Sequence, residues 1–552
     1  MGKNGKSFQL NRGRKDFLFY IALTVLAFLI FRFVGSSEPV LFDDSGAYLR
    51  VERIEGVMPV YPIFLLLNQW LFGDGIYLQV VITEQAALAA VCVVAFIRTI
   101  RREFDLCRPE AVLAFLLSLL PFTTEMPGSM ATQQILTEGL AYSLFYLFML
   151  VLLKAIWEKK PAWLAGAFGM VVVLAMVRSQ LQILFGVCGI IFVYIACTPG
   201  KRTGKVPFWV RFAVGIAGCL CIGIVGIFGV SKMTAAYKDM ITADGKFPAG
   251  EKFPEFVMKV QCPEEYEAYL AQGGALGMPS DVASETVSEE EPGETEPEEL
   301  VNRWFATSQY VSLIFSRGMY EADLQDAYLF DDEVLRGLYL ELYEAADEEK
   351  QRYAYASNGL WMWQDIVGGI GRVGKTCLMI PSEYYVANYP DLIKSEDFSD
   401  IRNSHLKTIG TALIKAHFGR FLYHTMMLLP QAFICTVFFQ IRPIYLLCHL
   451  VTLFLYVSAL GLMIWGYADR RVKNKAAECM ALVLGTNVVM IVLISIVFFG
   501  QQRYLVYNFG IFYIVYYLLL RELWNIRLRQ KVRQWVTVKK RKENGGEGGH
   551  GK

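Results

Sequence analysis

The sequence predicts an all-α polytopic membrane protein of about ten transmembrane helices, with a large, mainly α outer-face domain between spans 7 and 8. Three observations predict it. Of 552 residues, 55% are hydrophobic and only 19% charged, against about 25% charged in an average soluble domain, and the mean hydropathy is +0.37. The apolar residues gather into blocks of about 17–25, the length that crosses a bilayer core. Basic residues recur in every second loop between those blocks, as cytoplasmic loops require. A secreted disulfide scaffold, a soluble multidomain enzyme and a disordered chain are excluded.

Taken in order, the predicted spans are 17–35, 76–97, 111–122, 136–153, 162–177, 181–196, 208–230, 445–467, 477–499 and 507–520. The first is long for a signal sequence and no small-residue cleavage site follows it, so an uncleaved anchor is expected. Lys3, Lys6, Arg12, Arg14 and Lys15 precede it. Arg98, Arg101 and Arg102 follow the second span, Lys159 and Lys160 the fourth, and Lys201, Arg202 and Lys205 the sixth. Arg470, Arg471 and Lys473 follow the eighth, and the tail carries Lys539, Lys540, Arg541 and Lys542. The alternation places both termini in the cytoplasm of a multi-pass cell-membrane protein. Segments 58–72 and 418–439 read as short helices at the outer interface; counting the second as a span would break the alternation.

This topology divides the chain into an N-terminal membrane domain (1–230), an extracytoplasmic domain (231–412), a C-terminal membrane domain (413–521) and a basic cytoplasmic tail (522–552). The extracytoplasmic segment holds about 33 of the 52 acidic residues against about 15 basic ones, so the net charge of +1 is a cancellation between compartments. An acidic domain does not bind nucleic acid. Within it 273–299 is rich in Gly, Pro, Ser and Glu and reads as a disordered linker, while 304–314 and 327–343 show helical apolar spacing. Gly369-Ile-Gly-Arg-Val-Gly-Lys-Thr376 matches the phosphate-loop pattern. It lacks a preceding apolar strand, and Pro381 follows closely, so a glycine-rich turn is expected instead. Cys262 and Cys377 share the domain, where a disulfide is an option. No two His have a metal-ligand spacing within a helix; His405, His417 and His424 fall near the outer interface.

Ionisable residues in or beside spans are costly and point to function. Here they lie toward one face. Asp43 and Asp44 follow the first span, Glu84 sits about two turns inside the second, and Glu125 and Glu138 flank the turn between the third and fourth. Arg178 interrupts a long apolar run at an outer turn, and Arg503 and Tyr504 follow the ninth span. Carboxylates gathered there can act as a general base or hold a metal, and the arginines can bind phosphate.

These residues carry a resemblance. Leu41-Phe-Asp-Asp-Ser-Gly-Ala-Tyr48 with Pro59-Val-Tyr-Pro62, then Ile135-Leu-Thr-Glu138, Met176-Val-Arg178 and Gln502-Arg503-Tyr504 occur in an order that resembles the GT-C membrane glycosyltransferases. That family includes the protein O-mannosyltransferases and the aminoarabinose transferase of lipid A. The resemblance covers most of the chain except 231–412. It implies an inverting transfer of a sugar from a polyprenyl-phosphate donor to an extracytoplasmic acceptor: an envelope glycan, lipid or protein. Asp44, four residues before Tyr48, corresponds to the catalytic base, and Asp43 is the second choice. Ser45 stands where the family usually has Glu, so no cofactor is certain and a divalent cation is optional. Glu84, Glu138, Arg178, Arg503, Tyr504 and Tyr48 are the substrate-binding candidates. Three other readings compete: a transporter or flippase of a lipid-linked or anionic solute, an O-antigen polymerase or ligase, and a sensor. No internal repeat, an acidic outer loop and an excess of spans weigh against them in turn.

Overall fold

The computed structural model describes residues 3–42, 45–49, 58–124, 128–198, 207–242, 309–354, 362–393, 398–439, 441, 444–468, 475–497 and 502–525. The first membrane half comprises α1 (Lys3–Phe33), α2 (Ser45–Leu49), α3 (Val60–Phe72), α4 (Tyr77–Phe104), α5 (Arg108–Ser118), α6 (Glu138–Glu158), α7 (Pro161–Val177), α8 (Leu184–Cys197) and α9 (Phe208–Thr242). An inserted domain follows, with α10 (Gln309–Glu321), α11 (Glu333–Ala354), α12 (Met362–Asn388), α13 (Pro390–Ile393) and α14 (Phe398–Ala416). The second half comprises α15 (Phe418–Ile434), α16 (Tyr445–Ala468), α17 (Lys475–Val497) and α18 (Gln502–Asn525). Among the described residues there is no strand, only an isolated parallel bridge between Val40 and Gln134.

Eight helices among the described residues are long and apolar enough to cross a membrane. Segment 162–177 is α7, apolar but 17 residues long. Segment 111–122 forms the 11-residue α5 and a 3-10 turn, Leu120–Thr123, that begins at a proline-containing step. A helix of 11 residues rises about 16 Å, well short of a bilayer core.

α6 is the axis of the bundle. Its apolar residues run all round, and Tyr142, Phe145, Tyr146, Phe148 and Met149 are fully buried; a helix apolar on every side belongs inside. α4 and α7 flank it. α9 and α16 keep most of their apolar surface exposed, as helices facing lipid do. At the other extreme Gly510 on α18 comes so close to α5 that a Cβ there would lie 2.6 Å from the Leu117 carbonyl oxygen.

The inserted domain has its own core, built from Phe315, Met319, Leu338, Leu342, Tyr385, Leu406 and Ile409. Its tightest crossing is α10 on α14, where a Cβ on Gly318 would stand 2.6 Å from the Gly410 carbonyl oxygen. Segment 304–314 runs into α10, with residues 304–308 outside the described set, as is the linker 273–299; of 327–343 only the part from Glu333 belongs to α11, the 3-10 turn Leu324–Leu329 and three non-helical residues preceding it. The glycine-rich run 369–376 is not a turn: it lies inside α12, which continues through Pro381. Packing explains its glycines. A Cβ on Gly369 would meet Tyr320 at 2.9 Å and one on Gly374 would meet the Ser316 hydroxyl at 2.4 Å, so both permit α10 to lie close. Cys377 is buried and free, and Cys262 lies outside the described residues.

α15 joins the two bodies. It packs on α10, α12 and α14 on one side and on α16 and α17 on the other. This matches the helix expected over 418–439, which ends at Ile434 in a turn rather than running on.

Candidate functional site

The segment after α1 and the segment before α6 lock into register at one end of the bundle. Val40 N–H donates to the Gln133 carbonyl (2.9 Å), and Ile135 N–H to the Val40 carbonyl (3.0 Å). Glutamines and threonines from the same stretch hold the chain from the side. Thr132 Oγ1 donates to the Phe31 carbonyl at 2.7 Å and Gln133 Nε2 to the Val34 carbonyl at 2.9 Å. Gln85 of α4, fully buried, donates to the Thr132 and Gln134 carbonyls. Gly139 is the position that permits this, because a Cβ there would lie 2.1 Å from Gln85 Oε1.

Ser45 uses its hydroxyl in the same register. It donates to the Ile135 carbonyl at 2.9 Å and accepts from Phe42 N–H at 2.9 Å. The hydroxyl at the position where the resembled family has Glu is therefore committed to backbone. Asp43, Asp44 and Glu125 lie outside the described residues. Tyr48, on α2, packs edge-on against Tyr61 of α3 with ring centroids 5.3 Å apart, and Tyr61 is fully buried within electrostatic reach of Tyr48 and Glu138.

Arg178 closes α7. The chain leaves the helix there in an extended conformation and re-enters a 3-10 turn, Ser179–Ile183. Its side chain turns inward and forms a 2.5 Å ion pair from Nη1 to Glu138 Oε1 at the start of α6. The two side chains are 10% and 1% exposed, so the pair is desolvated. The other Glu138 oxygen accepts from Thr137 Oγ1 at 3.1 Å. Tyr504 completes the group. Its ring lies 5.3 Å from the Arg178 guanidinium and 5.0 Å from that of Arg503, and its hydroxyl accepts from Arg503 Nη2 at 3.0 Å. Tyr142 donates to the Arg503 carbonyl at 3.2 Å and Gln180 to the Tyr507 hydroxyl at 3.3 Å.

Glu138, Arg178, Arg503, Tyr504 and Tyr48 thus converge from four distant parts of the sequence, with Tyr48 in electrostatic reach of Arg178. Glu84 does not join them. It is exposed on the opposite side of α4 and accepts from Asn68 Nδ2 of α3 at 2.9 Å. Helical period decides this: Val81, Ile82, Gln85, Ala86 and Ala89 form the buried row, and Glu84 falls outside it. Gln85, Tyr142, Gln180 and Tyr507 belong to the group and were not singled out from the sequence, whereas Tyr61 falls in the Pro59-Val-Tyr-Pro62 run. Only Gln85 carried a signal, a polar residue in the buried row of an apolar helix.

The arrangement offers two guanidinium groups near one aromatic ring at the end of a membrane bundle, a chemistry suited to a phosphate or another anion. Arg178 is neutralised by Glu138, so the pair presents N–H donors more than net charge. Among the described residues no three His, Cys, Asp or Glu converge to hold a metal ion; Asp43, Asp44 and Glu125 lie outside them. No family model, curated protein or solved structure matches the chain.

Proposed function

We propose that the protein is a membrane glycosyltransferase that moves a sugar from a polyprenyl-phosphate donor to an acceptor hydroxyl at the outer face. The observation that carries the reading is the convergence of Tyr48, Glu138, Arg178, Arg503 and Tyr504 on one end of an apolar bundle. A lipid-linked donor keeps its chain in the bilayer and its phosphate at the surface, where such a group of arginines meets it.

In this reading Asp44 removes the proton from the acceptor hydroxyl as it attacks the anomeric carbon, with Asp43 as the alternative base. The glycosyl–phosphate bond breaks on the opposite face, which inverts the configuration. Arg503 stabilises the charge that develops on the departing lipid phosphate, and Arg178, neutralised by Glu138, adds N–H donors to it. Tyr504 contacts both guanidinium groups, and Glu138 fixes Arg178 in place. Ser45, the residue after Asp44, is itself anchored, because its hydroxyl donates to the Ile135 carbonyl and accepts from Phe42 N–H. No step is routed through a metal.

The test is transfer in proteoliposomes, using a panel of polyprenyl-phosphate sugars and reading glycosylated acceptor by mass spectrometry. Asp44→Asn is expected to insert and fold normally and to lose transfer by about 10³-fold or more, the scale of removing a general base and its alignment. Full transfer in Asp44→Asn and in the Asp43/Asp44 double Asn variant overturns the assignment.

A further inference from the structure

Three arginines meet two aromatic rings at the end of the bundle opposite Arg178. Phe19 and Tyr20 of α1 stand with ring centroids 5.3 Å apart. The Arg98 guanidinium of α4 lies 5.6 Å from the Tyr20 ring, and that of Arg108, the first residue of α5, 5.6 Å from the Phe19 ring. Between them Arg101 of α4 lies 5.3 Å from Phe19 and 5.6 Å from Tyr20. Arg101 is the fixed centre, its side chain 15% exposed. Its Nε donates to the Leu106 carbonyl (3.1 Å), Nη1 to the Tyr20 hydroxyl (3.2 Å) and Nη2 to Asp16 Oδ1 (3.2 Å). Ring contacts of this kind hold a guanidinium in place without neutralising it.

The group carries more positive charge than it has carboxylate to answer. Asp16 Oδ1 faces both Arg101 (3.2 Å) and Arg108 (3.8 Å). Of the acidic residues in 98–110, Glu103 faces Lys475 and Glu110 faces Arg521, each at 2.6 Å, and Asp105 is exposed where α4 ends. Arg98 is exposed and pairs with no carboxylate among the described residues. On the other side of Asp16, residues 1–15 add Lys3, Lys6, Arg12, Arg14 and Lys15 and no acid. Loop charge that only sets orientation needs no fixed geometry. Here α4 and α5 bring guanidinium groups to two neighbouring rings of α1, around an arginine that is itself immobilised.

We infer that this group binds the headgroup of an anionic phospholipid of the phosphatidylglycerol class. A phosphodiester supplies acceptor oxygens for guanidinium N–H groups and the negative charge that the group lacks. A zwitterionic headgroup offers the same phosphate but brings its own cation with it. Depth selects a lipid over a soluble phosphate. Phe17, Leu18 and Ile21, all exposed, lie within a turn of Phe19 and Tyr20 on α1, so the charged group sits where apolar surface begins, at headgroup level. The inference does not depend on the glycosyltransferase reading.

The experiment is native mass spectrometry of the full chain with phosphatidylglycerol and phosphatidylcholine of matched chains in one detergent. Wild type is expected to prefer phosphatidylglycerol by about tenfold, the scale of one or two basic groups at a membrane surface. Arg98→Gln is expected to cut the preference by about fivefold, and the Arg98→Gln/Arg108→Gln double variant to bring it within about twofold of none. Arg102→Gln is the control for diffuse charge. Arg102 is exposed on the same helix and is not one of the three arginines at the rings, so its loss is expected to leave the preference intact. Circular dichroism checks folding of each variant. Equal binding of the two lipids by wild type, an unchanged preference in Arg98→Gln, or a loss in Arg102→Gln as large as in Arg98→Gln overturns the inference. Displacement of the lipid by millimolar glycerol phosphate shows a site for any soluble phosphate and overturns the lipid assignment; undisturbed occupancy supports it.

Discussion

At the scale of single residues the Arg178–Glu138 pair is the most consequential contact. Both charges are desolvated, so removing one leaves the other buried and unmatched. Breaking such a pair costs about 3–5 kcal/mol, offset in part by the Tyr504 ring against the guanidinium. Glu138→Gln is expected to lower the melting temperature of detergent-purified protein sharply, and the Glu138→Leu/Arg178→Leu double variant to lose less than the sum of its single changes. Strictly additive losses would show that the pair is not coupled. His405 gives a second residue-level expectation. Burial pushes its imidazole below the ordinary value, with Asp332 opposing, and its Nδ1 lies 2.5 Å from the Tyr385 hydroxyl. The unfolded chain then takes up a proton more readily than the folded one. His405's contribution to stability is therefore complete above the ordinary imidazole range near pH 6.5 and is lost as the pH falls through it toward the lowered folded value. Melting of wild type at about pH 7.5 and 5.5 should show a larger acid loss than His405→Gln. Parallel curves for the two would remove His405 from the account.

At the scale of elements, α15 is held to the inserted domain by a set of buried polar contacts beside an apolar cluster in which its Leu428 meets Ile366 and Ile370 of α12. His424 Nδ1 faces Glu321 at 2.8 Å, and His417 Nε2 faces Asp326 at 2.7 Å. Arg420 donates to the Glu321 carbonyl at 2.9 Å, and Arg317, 1% exposed, donates to Thr425 at 2.8 Å. Burial pushes the Arg317 guanidinium down to about 10, despite Glu321 nearby, and lowers Lys350, which caps the Ala322 carbonyl. Glu321 is 1% exposed, so His424→Phe is expected to cost about 1–3 kcal/mol and to raise hydrogen exchange in α10 and α11 more than in α17. Uniform exchange changes would contradict a local dock. Little of this docking was legible in the sequence: helix periodicity marked α10, α11 and α15, yet a pairing such as His424–Glu321 spans 103 residues, and no local pattern encodes it. The α12 glycines misled for the same reason. Gly369 and Gly374 answer to Tyr320 and Ser316 on another helix, not to a turn. Glu138, Arg178 and Arg503 were conspicuous because charge in an apolar run stands out by itself, and Tyr504 came only with the Gln502-Arg503-Tyr504 run, whereas Glu84 and Gln85 exchange roles only once the buried row of α4 is counted.

At the scale of the whole molecule, the charge partition and the helix count bear on the same question, which side of the membrane each end of the bundle faces. The end that carries Arg178, Arg503 and the inserted domain is continuous through α15: Gln502 Nε2 donates to the Phe438 carbonyl at 3.5 Å and Tyr513 to the Val437 carbonyl at 2.8 Å, which ties the turn after α15 to the start of α18. The opposite end gathers basic groups around Asp16, Glu103 and Glu110, with Arg101, Lys475 and Arg521 as their partners. Tyr328 of the inserted domain is 86% exposed, and Cys107 is exposed at the opposite end, so one protein carries a reporter position for each side. The basic-loop rule requires the Arg101 end to be cytoplasmic. A membrane-impermeant maleimide added to intact cells should then label Tyr328→Cys and spare Cys107, with Cys107 labelled only after permeabilisation. The reverse pattern would invert the orientation and place the arginine group on the cytoplasmic face, away from any extracytoplasmic acceptor; labelling of both in intact cells would break the alternation of loops from which the topology was derived.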